Sequence, residues 1–315
     1  MDDGVAAMLR TLNDAFPPVE RMSADAARAA VAARRQPVSN VEDATAEDRI
    51  VDTGAGDIAV RIYRPQGTTE VLRPAVVFLH GGGFVLCDIE SHDGFCRAMS
   101  RHTGSVVVSV DYRRAPEHRA PAAARDAYAA FDWVAEHATS LGIDARRIAV
   151  AGDSAGGNLA TVVALLCRDR DTAPPAMQVL LYPMIDPACD TASYQRRATG
   201  YFTTGAALQW YWRQYLGDAN VPEPAWLVAP GRADSLSGLP PAIVVTATLD
   251  PLHDDGVAYV RRLRDDGVSV VHRDFRGLFH GFMTMLDFPP AVAARDLLWS
   301  DMRELLTVRP AESVR

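Results

Sequence analysis

From residue 49 onward the chain alternates short apolar runs with longer helix-forming stretches. Ile58-Ala59-Val60-Arg61-Ile62-Tyr63 alternates between apolar and polar positions, as a half-buried strand does. The runs that follow, at 75–79, 105–110, 147–151, 177–182, 242–247 and 269–275, are short and rich in β-branched residues. Most are separated by helix-forming sequence, for example 121–137, 155–170 and 255–265. Near-continuous apolar strands alternating with helices predict an α/β protein with a mostly parallel sheet covered on both faces. Right-handed crossovers make it doubly wound.

Two stretches break this rhythm. Residues 1–45 read as helical and rich in Ala and Arg, with a break at Pro17-Pro18. Residues 186–226 carry Tyr194, Tyr201, Phe202, Trp210, Tyr211, Trp212 and Tyr215 without strand-like alternation. Helices outside the sheet pattern with large apolar side chains predict a cap over the sheet's C-terminal edge. The core is then 46–185 with 227–315, and the cap is 1–45 with the insertion 186–226. There is no internal repeat and no low-complexity tract.

The strongest chemical signal is Gly152-Asp153-Ser154-Ala155-Gly156-Gly157, placed between a strand and a helix. That is the context of a Gly-x-Ser-x-Gly nucleophile elbow, in which a tight turn lifts Ser154 above the sheet and excludes side chains at Gly152 and Gly156. The pattern alone turns up in roughly one chain in ten at average Gly and Ser usage, so the strand–turn–helix setting carries the argument. The second signal is His80-Gly81-Gly82-Gly83-Phe84, directly after the run at 75–79. Consecutive glycines expose backbone amides. With the amide of Ala155, those of Gly82 and Gly83 make an oxyanion hole. The loop does not match the G-x-G-x-x-G dinucleotide fingerprint.

A serine hydroxyl needs a base, and the base needs an orienting acid. In this fold class the acid and then the histidine follow the serine, each just past a later strand. Only His253, His272 and His280 lie beyond Ser154. His272 sits inside an alternating strand and His253 at the start of a helix. His280, in a glycine-flanked loop just past the last strand, is the base. Asp250, at the end of the run at 242–247 and followed by Pro251, is the orienting acid, with Asp255 the weaker alternative. Asp153 and the block from Tyr112 to Glu117 read as bracing groups.

Composition narrows the partners. The chain has 315 residues and a net charge of -8, against the basic excess expected of a nucleic-acid binder. Its 32 basic residues are all arginine, which removes Walker-type, Schiff-base and Ser-x-x-Lys chemistries. Four cysteines without a C-x-x-C pair fit a reducing compartment. The acidic start Met1-Asp2-Asp3-Gly4 lacks the features of a signal peptide, and no apolar run approaches a membrane span. The expectation is a cytoplasmic protein with a small-molecule substrate, binding no nucleic acid and not inserted stably in a membrane.

In order along the chain stand His80-Gly81-Gly82-Gly83, Asp111-Tyr112-Arg113-Arg114-Ala115-Pro116-Glu117, Gly152-Asp153-Ser154-Ala155-Gly156-Gly157, Asp250-Pro251-Leu252 and His280-Gly281-Phe282. With these blocks the sequence resembles the bacterial branch of the hormone-sensitive-lipase-like esterases of the α/β-hydrolase fold. The resemblance runs from about residue 75 to 282. It implies a serine carboxylesterase acting on short- to medium-chain esters through an acyl-enzyme, a helical cap, no cofactor or metal, and often a homodimer. Arg114 stands where the family usually has Leu, and His253 and Asp255 where Arg and Glu are common. Two other readings share the fold: an amidase or deacetylase using the same three residues, and a non-catalytic binder of small ligands. Gibberellin receptors of plants are such binders and lack the histidine that His280 supplies here.

Overall fold

The computed structural model describes residues 2–53, 56–67, 72–217 and 221–307. Its strands are β1 (Ala44–Asp52), β2 (Asp57–Pro65), β3 (Arg73–Leu79), β4 (Val106–Asp111), β5 (Ile143–Asp153), β6 (Gln178–Leu181), β7 (Ala242–Ala247) and β8 (Val270–Phe275). They form one sheet in the order β1-β2-β4-β3-β5-β6-β7-β8. β2 is antiparallel to both neighbours. From β4 across to β8 every pairing is parallel. The C-terminal ends of β3, β5, β7 and β8 therefore share one rim, where open α/β sheets bind ligands.

The apolar runs are continuous because both faces are covered. Along β3, Ala75, Val77 and Leu79 enter one buried cluster while Val76 and Phe78 enter the other, as the two-residue period of a strand demands. The first cluster takes in α4 (Ala122–Glu136), α5 (Ala155–Asp169) and α8 (His253–Asp265); the second takes in α3 (Ile89–Thr103) and α9 (Pro289–Thr307). Each fully buried Val or Leu contributes roughly 1.5–3 kcal/mol by leaving water. α5 is buried along almost its whole length, so the helix that follows the serine is among the most enclosed elements.

Both stretches outside the sheet rhythm contain helices. The first holds α1 (Asp3–Ala15) and α2 (Ala24–Ala32), capped by the side chains of Asp2 and Ser23. The second holds α6 (Ala192–Arg196) and α7 (Gly205–Leu216). They are tied together: Asn13 donates to the Gly200 carbonyl at 3.0 Å and accepts from the Phe202 amide at 2.9 Å. α7 is anchored on the glycine loop, where the rings of Tyr215 and Phe84 stack at 3.9 Å. The first stretch is not helical to its end, because β1 already begins at Ala44.

Candidate active site

β5 runs into α5 through a single residue of unusual backbone. Ser154 has φ 55° and ψ −115°, a conformation that L-residues rarely adopt. Its amide donates to the Leu181 carbonyl at 2.8 Å, and its own carbonyl accepts from the Met184 amide at 3.0 Å, so β6 and its exit clamp the turn. A Cβ at Gly156 would lie 1.8 Å from the Leu79 carbonyl oxygen, and one at Gly152 would lie 2.3 Å from the Gly156 backbone. Glycine is required at both positions by the approach of β3 and α5. The side chain of Ser154 is nearly buried yet faces a cavity.

The loops after β7 and β8 reach the same point. The Leu249 amide donates to the Leu278 carbonyl at 2.9 Å, and the Gly277 amide to Thr248 Oγ1 at 2.9 Å. So stitched, the loops hold His280 Nδ1 2.7 Å from Asp250 Oδ2 and His280 Nε2 2.9 Å from Ser154 Oγ. Asp250 is fully buried, and its Oδ1 accepts from the Leu252 amide at 2.8 Å. A carboxylate only accepts, so the imidazole proton sits on Nδ1 and the Nε2 lone pair faces the hydroxyl. The Tyr182 ring, centred 4.8 Å from that of His280, walls one side of the imidazole.

The glycine loop lies opposite. The amides of Gly82, Gly83 and Ala155 have no acceptor among the described residues. Gly82 (φ 106°) and Gly83 (φ 62°) have left-handed backbones, and added Cβ atoms would meet the Leu86 carbonyl at 2.3 Å and the Tyr211 ring at 2.2 Å. The Gly81 amide donates to Asp153 Oδ1 at 2.7 Å. Tyr112 donates to the His80 carbonyl at 2.7 Å and His80 Nδ1 donates to the Gly81 carbonyl at 2.8 Å. Burial, with the neighbouring His92 next in weight, pushes His80 down to about 3, so it stays neutral. A family model described as the alpha/beta hydrolase fold matches residues 76–284. The carboxylic ester hydrolase LipN of Mycobacterium tuberculosis is 44% identical over 76% of this chain, which spans 65% of that protein's length. An ethyl acetate hydrolase of Pseudomonas putida is 42% identical over 72% of both chains. The crystal structure of a thermostable esterase from Pseudomonas putida superimposes with a TM-score of 0.90 at 35% identity, covering 98% of each chain.

The chain belongs to the hormone-sensitive-lipase-like carboxylic ester hydrolases of the α/β-hydrolase fold. In this esterase a cavity of about 570 Å³ opens onto Ser154 and His280, bounded by Gly82, Gly83, Phe16, Phe202, Leu208 and Tyr211 among others. Side chains from α7 and from the turn after α1 thus close over the rim.

The other residues singled out in the sequence lie away from the Ser154–His280 contact. His253 begins α8, with its ring nitrogens facing Asp254 at 3.0 Å and Asp274 at 3.1 Å. His272 meets the Thr246 hydroxyl at 2.9 Å. Asp255 is buried beside Asp186 and Asp190 and does not touch His280; burial first, then those two charges, pushes it up to about 7. Glu117 ties the loop after β4 to α2 through a two-oxygen pair with Arg28, both contacts 2.7 Å. Arg114 donates to the Cys87 carbonyl at the edge of a neighbouring groove. Reading the sequence missed one residue near the site, His92, which lines the cavity and lies 3.1 Å from Asp153. No local motif marks it, since its partner is 61 positions away.

Among the described residues no cluster of His, Cys, Asp or Glu is suited to a metal, and no helix is long and apolar enough to cross a membrane. All four cysteines are unpaired.

Proposed function

We propose that this esterase hydrolyses small carboxylic esters with Ser154 as nucleophile, His280 as general base and Asp250 as the group that orients it. The observation that carries the reading is the pair of contacts at His280, 2.7 Å to Asp250 and 2.9 Å to Ser154. His280 Nε2 takes the hydroxyl proton as Oγ attacks the ester carbonyl. The developing oxyanion is received by the amides of Gly82, Gly83 and Ala155, which have no acceptor among the described residues. His280 then protonates the departing alcohol, leaving an acyl group on Ser154. Water, deprotonated by the same imidazole, releases the acid. Asp250 holds the Nδ1 proton throughout and stabilises the imidazolium formed at each step.

The small-ester preference is supported by the cavity of about 570 Å³ and by a relative named as an ethyl acetate hydrolase. In the same reading, residues 1–45 and 186–226 form the cap, since Phe16, Phe202, Leu208 and Tyr211 from these stretches bound the cavity. Four unpaired thiols suit a cytoplasmic setting. The dimer expected of the family is open to sedimentation analysis.

Ser154→Ala, assayed on p-nitrophenyl acetate and butyrate, is expected to lower kcat by about three orders of magnitude or more. Wild-type protein is expected to take up a fluorophosphonate at Ser154. Retained turnover in the variant would overturn the nucleophile assignment. An unlabelled serine would favour a binding protein, and faster cleavage of matched anilides than of esters would favour an amidase.

A further inference from the structure

His92 is nearly buried in the first turn of α3, behind the glycine loop and beside Ser154's neighbour Asp153. Its two polar contacts bear on its protonation. The helix opens with a reciprocal cap in which Ser91 Oγ accepts from the Asp88 amide at 2.9 Å and donates to the Asp88 carbonyl at 2.6 Å. A 2.6 Å contact between a hydroxyl and a carbonyl holds the one hydroxyl proton of Ser91. The 3.0 Å contact between Ser91 Oγ and His92 Nδ1 must then take its proton from the ring. On the other edge, Nε2 lies 3.1 Å from Asp153 Oδ1, an oxygen that cannot donate. Both ring nitrogens therefore face acceptors.

We propose that His92 is a positioning residue for the oxyanion loop: as a doubly protonated imidazolium it neutralises Asp153 and fixes the carboxylate that holds the Gly81 amide. This rests on the assignment of Gly82, Gly83 and Ala155 as oxyanion donors. Asp153 is a buried carboxylate one residue from the nucleophile. Left unpaired, its charge would oppose the negative charge that develops when Ser154 attacks. The other titratable ring packed on His92 is His80, 5.8 Å away between centroids, which is neutral and offers no counter-charge. Burial works to raise the Asp153 pKa, yet its neighbour His92 and the hydrogen bond from the Gly81 amide outweigh it and hold the carboxyl below its ordinary value. An added Cβ at Gly81 would lie 2.3 Å from Asp153 Oδ2, so the loop and the carboxylate move together.

The test is a charge-rescue series on p-nitrophenyl butyrate. His92→Gln keeps a donor but removes the charge, and is expected to lower kcat about 10- to 100-fold while KM stays within about threefold. His92→Gln/Asp153→Asn restores a neutral amide pair, and is expected to recover at least fivefold of that loss. A residue needed only for packing would give no such rescue. The proposal is overturned if His92→Gln keeps wild-type kcat, or if the double variant is no faster than the single one. A measurement on wild-type protein stands apart from the variants. Two-bond 15N–1H spectra, with His92 assigned through its backbone amide, should show the imidazolium pattern at the assay pH, and a neutral tautomer there overturns the proposal. Ser154→Ala, run alongside, should abolish turnover and leave the His92 spectrum unchanged, so the failure of either assignment is read separately.

Discussion

At the scale of single residues, the site is built by removing side chains as much as by placing them. Five glycines around Ser154 sit where a Cβ would lie within 2.3 Å of a backbone, carboxylate or ring atom. At Gly82 the obstacle is the Leu86 carbonyl, and the backbone is left-handed as well. Gly82→Ala must therefore displace the loop and its amide. Its expected cost is about 3 kcal/mol of transition-state stabilisation, a hundredfold or so in kcat with little change in KM. Steady-state kinetics on a single ester checks this. An equal rise in KM would mean that the loop binds ester rather than oxyanion. The backbone of Ser154 adds to the same picture, since its φ of 55° is tolerated only because β6 and α5 hold the residue on both sides.

At the scale of elements, the parts legible in the sequence are those whose pattern is local. β2 to β8 coincide with the apolar runs to within a few residues, because β3, β4, β6 and β7 are buried almost throughout, β5 is buried over its second half, and β2 shows the alternation of a half-buried strand. β1 was not legible: six consecutive residues of this edge strand are exposed, so it has no alternation to read. α3 was missed too, because Asp93, Arg97, Arg101 and His102 break up its apolar stripe; its Asp88–Ser91 cap marks the start more plainly than its hydropathy does. The chemistry followed the same rule. Ser154, Asp250 and His280 each lie in a contiguous motif, whereas the meeting of His92 with Asp153, and of Arg28 with Glu117, exists only after folding. Arg28 bonds the carbonyls of Val85 and Ala115 as well as Glu117, pinning α2 to the glycine loop's far side. Arg28→Ala is expected to cost about 2 kcal/mol in urea unfolding, because carbonyls lose a charged donor. Glu117→Ala removes only the exposed ion pair and should cost about 1 kcal/mol or less.

At the scale of the whole molecule, one buried acid opposes folding at alkaline pH. In the folded chain Asp255 keeps its proton up to about pH 7, while in the unfolded chain it ionises near the ordinary value of 3.8. Folding therefore takes up a proton between those values. The contribution of Asp255 to stability is undiminished below about pH 4, falls as the pH rises through that window, and is flat above it. The loss is bounded by about 4 kcal/mol. Asp255→Asn is expected to raise Tm at pH 8 and to lose that advantage by pH 4. A constant gain across the range would show that the carboxylate is already ionised when folded.

Ser154 is emitted by β5 before residues 186–226 begin, and Asp250 and His280 arrive from β7 and β8 after they end. The spacing among the three is thus dictated by strand register, not by how much chain is spliced between them. That register does not extend to the glycine loop, which rests on Tyr211 and Tyr215 of α7, so directed libraries across 186–226 that spare these two rings are the ones expected to retune acyl preference while turnover is kept.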